Sequence, residues 1–503
     1  MRAGQTAVFE QLAREGAVID RLVSDSRRAG PGAAFFAWPG ERADGRAHIG
    51  DAVARGAAAV LWDPEGFGWP EGWRVPHAPV PALRGQAGYL ADAFHGRPSQ
   101  DLWVCGVTGT NGKTSCSQWV AAALAACGER AAVIGTLGAG MAGEPLEETG
   151  HTTPDALEVH RRLAGFRGAG AQVVAMEVSS HALAQERVNG VRFRCALFTN
   201  LSHDHLDYHG SMQAYAEAKA RLFAMPGLEV AVLNLDDVVG VQLARRLQGS
   251  GIRTIGYSLA EGAVAPGSVD EAVVATQVSL GAEATELTLA CAGAVVPLRF
   301  AHPGRFSASN ALGVLGCLLA RGLAPAEAAA RVAALPAVPG RMQRLGGQGE
   351  PLVVIDYAHT PDALENVLRA LRPVAEARGG RLAVVFGAGG DRDPSKRAAM
   401  GEAASRGADR VVLTSDNPRS EDPDAILAAI AAGVGRSGDV GRALCIERDR
   451  ARAIERSVAE AAVGDVVVIA GKGHEEWQEV AGRRLPFSDA TAARAALARR
   501  RAA

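Results

Sequence analysis

The sequence predicts an α/β protein of three domains. These are a smaller α/β N-terminal domain, a central domain on a mostly parallel sheet of the P-loop type, and a Rossmann-like C-terminal domain. Three observations predict it. The chain has 503 residues, too many for one ordinary core and suited to about three domains. Strand-length apolar runs alternate with helical stretches along most of it. Two turn-rich segments, HGRPSQDL ahead of residue 103 and LPAVPGRMQRL with Pro336, Pro339 and Gly340, punctuate that alternation. They divide the chain into 1–98, 99–338 and 339–503.

In the first segment, short apolar runs (AAFFAW, AAAVLW) lie between Gly/Pro turns, and a helical stretch near Leu83–Phe94 closes it. In the second, LWVCGVTG reads as a buried strand and TSCSQWVAAALAACG as the helix behind it. AQVVAMEVSS, CALFTNL and VAVLNLDD are further strands separated by helices, which indicates a parallel sheet covered by helices. From about 261 to 300, Thr and Val at alternating positions predict a short antiparallel addition. The third segment repeats the α/β pattern in PLVVIDYAH, RLAVVFGAGG, RVVLTSDNP and VVVIAGKG. Each of these runs ends in polar and glycine residues, and ligands gather at the carboxyl ends of such strands, so one crevice is expected there.

Composition narrows the class. The chain is 48% hydrophobic and 21% charged with a formal charge of −2, which gives no overall attraction to nucleic acid or an anionic membrane. An anionic ligand must be held by local groups. The N-terminal stretch MRAGQTAVFEQLAREG lacks the apolar core of a signal peptide. Cys105, Cys116, Cys127, Cys195, Cys291, Cys317 and Cys445 are scattered without a CxxC pair, as expected for reduced core thiols in a cytoplasmic protein.

Gly106-Val-Thr-Gly-Thr-Asn-Gly-Lys-Thr114 lies between a strand and a helix. Glycines let backbone N–H groups approach a phosphate, the helix N-terminus favours the anion, and Lys113 adds a cation. The Thr114 hydroxyl suits Mg²⁺. The spacing departs from the strict P-loop form, because Val107 stands five positions before Gly112 and the useful glycine is Gly109. Nucleotide binding is the expectation. Glu177 ends one strand and His203, His205 and His209 follow another, so they can bring ligands to a metal near the phosphates. A zinc site on the three histidines is the rival reading, and a plain structural hydrogen bond is the alternative for each of them.

TGTNGKT, HTTPDA, MEVSSHAL, TNLSHDHLDYHG and YAEAKARLF, in that order, resemble the central domain of the Mur ligases. PGRMQRL, VIDYAHTPDAL, FGAGGDRD, SDNPRSE and GKGHE resemble the C-terminal domain of the same family, and the early SDSR resembles the UDP-site motif of its tripeptide-forming member. The resemblance implies a ligase that activates a carboxylate as an acyl phosphate with ATP before an amine displaces phosphate. It implies ATP contacts from Gly109, Thr110, Asn111, Gly112, Lys113, Thr114, Asn310, Arg341, Asp356 and His359. Mg²⁺ ligands would be Thr114, Glu177, His205 and Lys219, the last as a CO₂-derived carbamate. Lys113, Lys219, Glu177 and His205 are the catalytic group so implied.

The UDP-MurNAc-dipeptide would be held by Ser24, Arg27, Thr152, Thr153, Ser179, Gln185 and Arg187. Ser-Ala-Ser precedes Asn310 where the family more usually has a sequence such as Asn-Val-Tyr, so only Asn310 carries over there. The incoming amino acid would meet Arg392, Asp416, Asn417, Arg419, Gly471 and Glu475. DNPR is the pattern of the branch that adds meso-diaminopimelate to UDP-MurNAc-L-Ala-D-Glu. The two-pronged Arg419 guanidinium suits a carboxylate on the distal carbon, which lysine lacks. Leaving that guanidinium buried and unpaired costs about 2–5 kcal/mol. That is roughly thirty- to several-thousand-fold in discrimination.

The implied partners are these small molecules, with neither nucleic acid nor membrane, and the enzyme would be a monomer. Alternatives are the lysine-adding branch, the D-Ala-D-Ala-adding ligase, folylpolyglutamate synthetase, and, in a different class, a P-loop NTPase switch or kinase.

Overall fold

A computed structural model describes residues 2–41, 43–260, 267–281, 283–434 and 443–502. Its architecture is mixed α/β with mostly parallel sheets, as expected. The first sheet runs Arg21–Val23, Ala33–Ala37, Ala59–Trp62 and His77–Pro79 in that order, all parallel. The AAFFA strand is buried at every position, which is why it reads as a continuous apolar run. The helix Leu83–Phe94 presents Leu83, Ala87, Leu90 and Ala91 at helical spacing to this sheet. Ala156 and Leu157 of the next segment join the same core, so the N-terminal sheet docks on the central region.

Among the described residues, the second sheet has ten strands. Seven are parallel, in the order Glu271–Leu280, Arg253–Ser258, Val230–Asn234, Phe193–Phe198, Trp103–Thr108, Val173–Glu177 and Ala131–Gly135. Gly138–Met141 adds an antiparallel edge at one end. At the other, Thr285–Cys291 pairs antiparallel to Glu271–Leu280 and Ala294–Phe300 pairs antiparallel to Thr285–Cys291, which is the addition predicted from the Thr/Val alternation. Residues 261–266 of that stretch lie outside the described residues. Helices Lys113–Ala125 and Arg305–Ala320 cover one face with Trp119, Val120, Leu124, Leu312 and Leu315.

The third sheet has the order Gln343–Gly346, Leu352–Asp356, Val466–Ala470, Leu382–Phe386, Arg410–Leu413 and Ala443–Ile446. Only its first pair is antiparallel. A hairpin, Trp477–Val480 with Arg483–Pro486, forms a separate two-stranded sheet. The four expected strands therefore lie side by side and their carboxyl ends share one edge, where the polar ends YAH, GAGG, SDNP and GKG emerge. Among the described residues no helix is long and apolar enough to cross a membrane.

Candidate active site

The turn after Trp103–Thr108 is shaped by two glycines. Gly109 has φ +147°, and a Cβ there would overlap the Thr199 hydroxyl oxygen. Gly112 has φ +89° and caps the helix Lys113–Ala125, and a Cβ there would overlap Asn310 Oδ1. The backbone thus curls against Thr199 and Asn310, leaving room only for residues without a side chain. Such a turn at a helix N-terminus is a phosphate cradle. Lys113 Nζ folds back onto it and donates to the carbonyls of Gly109 and Thr110, each at 2.9 Å. Burial lowers its pKa, while Glu177 and Asp204 oppose the shift. Thr110 Oγ1 lies 3.1 Å from Tyr215 OH, and Asn111 N donates to Asn200 Oδ1 at 2.9 Å.

Glu177 ends the adjacent strand and is 1% exposed. Three donors hold its carboxylate: Thr114 Oγ1 at 3.1 Å, Thr136 N at 2.8 Å and Thr136 Oγ1 at 3.0 Å. The Thr114 hydroxyl and this carboxylate are hard oxygen donors beside a phosphate cradle, a set that fits Mg²⁺. Arg341, from the segment after the central sheet, donates from Nη2 to Thr114 Oγ1 at 3.0 Å and lies over the Tyr357 ring at 4.3 Å. The two regions therefore meet at the P-loop.

Lys219, on the helix Met212–Ala220, is 1% exposed. Its Nζ donates to Gly109 O at 2.8 Å and sits 4.4 Å from the Tyr215 ring centre. Burial, reinforced by Lys113, holds its pKa well below the usual lysine range against the pull of Asp204. His205, at φ +53°, has its ring 4.7 Å from that of His181. Burial pushes its pKa down to about 3 although Asp204 opposes the shift, so it is a neutral nitrogen donor near pH 7. His209 Nε2 lies 3.0 Å from Ser180 Oγ, and His203 is exposed. Among the described residues, the grouping of close metal-ligating atoms is the buried thiol set Cys105, Cys195 and Cys317, so the three-histidine zinc reading gains no support.

Further along the strand ends, Thr153 Oγ1 donates to Glu177 O at 2.9 Å and Ser179 N donates to Thr153 Oγ1 at 3.1 Å. Thr152 Oγ1 lies 3.1 Å from Thr136 Oγ1. Arg187 donates to Thr153 O at 2.9 Å and to Gln185 Oε1. Gln185 Nε2 donates to Glu41 Oε2 at 2.9 Å, and Tyr208 OH to Glu41 Oε1 at 2.6 Å. Thr152, Thr153, Ser179, Gln185 and Arg187 are thus one connected group. Ser24 reaches it through Asp155 at 3.3 Å, but Arg27 turns away, paired with Asp25 at 2.8 Å and largely exposed.

In the third sheet, Asp356 faces inward and accepts from Met342 N at 2.8 Å and Ala358 N at 2.9 Å, so in this arrangement it fastens its own loop. His359 Nδ1 lies 2.8 Å from Tyr357 O. Asn417 Nδ2 donates to Glu475 Oε2 at 2.9 Å, and Lys472, fully buried, donates to Asn417 Oδ1 at 3.0 Å and Glu475 Oε2 at 2.8 Å. Gly471 has φ +109°, and a Cβ there would lie 2.8 Å from Asp416 Oδ2. Arg419 donates to Gly390 O at 2.6 Å and pairs with Glu479 at 3.4 Å. Arg392 is exposed on the neighbouring loop.

Thr136, Asp204, Lys472, Glu41 and Glu479 complete these networks and were not among the expected site residues. Asp204 and Lys472 stand inside motifs already singled out, TNLSHDHLDYHG and GKGHE. Thr136 follows the strand Ala131–Gly135, and its significance shows only once its neighbour Glu177 is in place. Glu41 and Glu479 carry no local signal.

Three family models cover most of the chain: "Mur ligase family, catalytic domain" at residues 18–95, "Mur ligase middle domain" at 107–318, and "Mur ligase, glutamate ligase domain" at 340–473. A UDP-N-acetylmuramoyl-L-alanyl-D-glutamate--2,6-diaminopimelate ligase of Chromobacterium violaceum is 51% identical over 492 residues, covering 98% of this chain and 96% of that protein. A ligase of the same name from Pseudomonas aeruginosa is 48% identical, covering 98% and 97%. A solved structure of a ligase with that name superposes with a TM-score of 0.67 at 35% identity, covering 96% of this chain and 95% of that one. MurF from Acinetobacter baumannii superposes at 0.63 with 17% identity, covering 96% and 94%, a likeness of fold alone.

Proposed function

The chain belongs to the Mur ligase family, and from that premise we propose that it is the ATP-dependent acid–amino-acid ligase of peptidoglycan synthesis that joins meso-2,6-diaminopimelate to UDP-N-acetylmuramoyl-L-alanyl-D-glutamate. Residues 1–98 would bind the UDP end, 99–338 ATP, and 339–503 the amino acid, in a cytoplasmic monomer. One observation carries this reading. Arg341, at the start of the amino-acid-binding segment, reaches Thr114 of the phosphate cradle at 3.0 Å, so closure of that segment and handling of ATP are mechanically joined.

A carboxylate resists an amine because hydroxide is a poor leaving group. In the first step the D-glutamyl carboxylate oxygen attacks the γ-phosphorus and ADP leaves. In the second, the neutral amine attacks the acyl carbon, phosphate leaves with the bonding pair, and the nitrogen gives up a proton to solvent. Two anions must meet in the first step, which requires fixed positive charge and N–H dipoles. Gly109, Thr110, Asn111 and Gly112 would supply the backbone donors and Lys113 the cation, with Asn310 beneath Gly112 on the nucleotide side. Thr114, Glu177 and His205 would hold Mg²⁺, which when bound screens the phosphate charge. Arg341 and His359 would cover ATP from the C-terminal side, with Asp356 fixing the loop between them.

Lys219 would complete this set as a carbamate. Only a neutral amine reacts with CO₂, and the burial that lowers its pKa supplies one. Nζ adds to the CO₂ carbon and loses a proton, which leaves an anionic oxygen donor where an ammonium would repel Mg²⁺. The group of Ser24, Thr152, Thr153, Ser179, Gln185 and Arg187 would hold the UDP-MurNAc-dipeptide, with Arg27 at its uridine end. Arg419 would meet the distal carboxylate of the diamino acid and Glu475 its distal ammonium, with Arg392, Asp416, Asn417 and Gly471 around them.

Product analysis tests the reading. With ATP and the muramyl dipeptide, purified protein should form a tripeptide with meso-diaminopimelate, with stoichiometric ADP and phosphate. L-lysine in a separate tube should react at least thirtyfold or so less efficiently. Equal use of lysine would remove the selection argument, and ATP hydrolysis without a lengthened dipeptide would remove the whole reading.

A further inference from the structure

The loops that carry Asp416-Asn417 and Gly471-Lys472 leave strands that are not neighbours, because Leu382–Phe386 lies between Arg410–Leu413 and Val466–Ala470. No ladder hydrogen bond joins these two strand ends directly; each pairs with the strand between them, up to Ile469 and Leu413. A buried side chain bridges them at the backbone. Arg450, the first residue of the helix Arg450–Glu460, donates from Nη1 to Ser415 O at 3.3 Å and from Nη2 to Ala470 O at 2.9 Å. Those carbonyls belong to the residues immediately before Asp416 and Gly471.

Arg450 is itself locked. Its Nε and Nη2 donate to the two carboxylate oxygens of Asp489, both at 2.7 Å, and both side chains are 0% exposed. Asp489 opens the last helix, Asp489–Ala502, so the guanidinium plane is fixed from two elements at once. The planar fork grips both carboxylate oxygens and two separate carbonyls together, more acceptors than the three donors of a lysine ammonium can serve. A buried ion pair adds little to stability over a well-packed apolar pair, so its presence here calls for another role.

We infer that Arg450, locked by Asp489, is a positioning residue of the amino-acid pocket, setting the distance between its two loops. This rests on the reading that the pocket takes diaminopimelate. The two loops mate side chain to side chain. Asn417 meets Lys472 and Glu475, and the backbone of Gly471 lies against the Asp416 carboxylate. The hairpin strand Trp477–Val480 closes over the same loop through Gln478, which donates to Asp416 O at 2.7 Å. A shift of one strand end relative to the other would spread these contacts and move Arg419 relative to Glu475. A displacement of about 1 Å in such a pocket is worth on the order of a hundredfold in rate.

The test uses full-length Asp489→Asn, Arg450→Lys and the apolar pair Arg450→Met/Asp489→Leu, with KM measured separately for the three substrates. The expected result is a KM for diaminopimelate raised roughly tenfold or more, and a preference over lysine reduced by about the same factor. KM for ATP and for the muramyl dipeptide should stay within about twofold of the parent. The apolar pair removes the buried charges without leaving one unpaired, though the Ser415 and Ala470 carbonyls lose a donor, so its thermal midpoint should fall by only a few degrees or so while the selective defect persists. Unchanged diaminopimelate KM in any folded variant overturns the inference, as does an equal loss toward all three substrates. If none of the variants folds, the pair is a folding determinant and the positioning role is likewise overturned. A parent enzyme that makes no tripeptide with diaminopimelate would instead remove the proposed function, so the two failures are distinct.

Discussion

The amine of Lys219 is 1% exposed, donates to Gly109 O at 2.8 Å, and lies above the Tyr215 ring at 4.4 Å. An ammonium in that position is disfavoured by burial first and by Lys113 second, so the neutral amine is the form the fold prefers. A charged lysine beside a magnesium site would repel the metal, whereas a carbamate would serve it. We therefore expect Lys219→Ala to lose on the order of a hundredfold or more in activity. Small carboxylic acids, which restore an anionic oxygen donor, should recover part of it. Full activity in the variant without rescue would exclude a catalytic role for this lysine. In the sequence this residue stands in an unremarkable AEAKA stretch, and only its order among the other motifs distinguishes it. The physical reason for its behaviour, enclosure under the P-loop, is tertiary.

At the scale of elements, the P-loop is the piece most fully written in local sequence, because its requirements are local: glycines at φ +147° and +89° followed by a helix start. A methyl group at Gly109 would overlap Thr199 Oγ1 and sit 3.0 Å from Asn200 N, part of the backbone of the next loop. Gly109→Ala should cost about 1–3 kcal/mol and weaken ATP binding, read as a lower denaturation midpoint and a higher Kd for ATP. Parent-like values for both would show that the turn can relax. The inner strands were legible for a related reason: buried on both faces, Trp103–Thr108, Val173–Glu177 and Val466–Ala470 are near-continuous apolar runs. Edge elements were not. Arg483–Pro486 is largely exposed and Gly138–Met141 is rich in glycine, so neither carries an apolar signature, and Ala443–Ile446, though apolar in sequence, is only four residues long and largely exposed. The same holds for the site. Motif residues were found because they cluster in sequence, whereas Thr136 binds a carboxylate 41 positions away and Glu479 pairs with Arg419 across a hairpin that no local pattern announces.

Across the whole molecule, the N-terminal sheet is tied to the central region by Glu41 with Gln185 and Tyr208, by Ser24 with Asp155, and by a less settled contact behind them. Asp92, on Leu83–Phe94, places Oδ1 3.5 Å from Nδ1 of His160 on Ala156–Gly168. His160 Nε2 lies 2.9 Å from the Asn189 carbonyl, so it carries the ring proton and Nδ1 is bare. Neither Asp92 Oδ1 nor His160 Nδ1 has a hydrogen-bond partner among the described residues. Burial raises the Asp92 pKa to about 6, against the pull of Arg97 and Arg167, and lowers that of His160 to about 4. A carboxyl whose folded pKa exceeds its unfolded value of 3.8 contributes stability fully below that value and loses it as the pH rises through about 6. Above that pH a buried carboxylate faces a bare ring nitrogen. Asp92→Asn replaces it with a neutral amide whose N–H can donate to His160 Nδ1. The variant should therefore be about 1–2 kcal/mol more stable than the parent near pH 8. That advantage should shrink toward pH 4 or so as the parent acquires its own proton; the unfolded-state titration of His160 is common to both chains and cancels in the difference. Urea midpoints for the two proteins across this range would measure it. An advantage that does not change with pH, or none at all near pH 8, would mean that the carboxylate is already accommodated where the N-terminal sheet meets the central region.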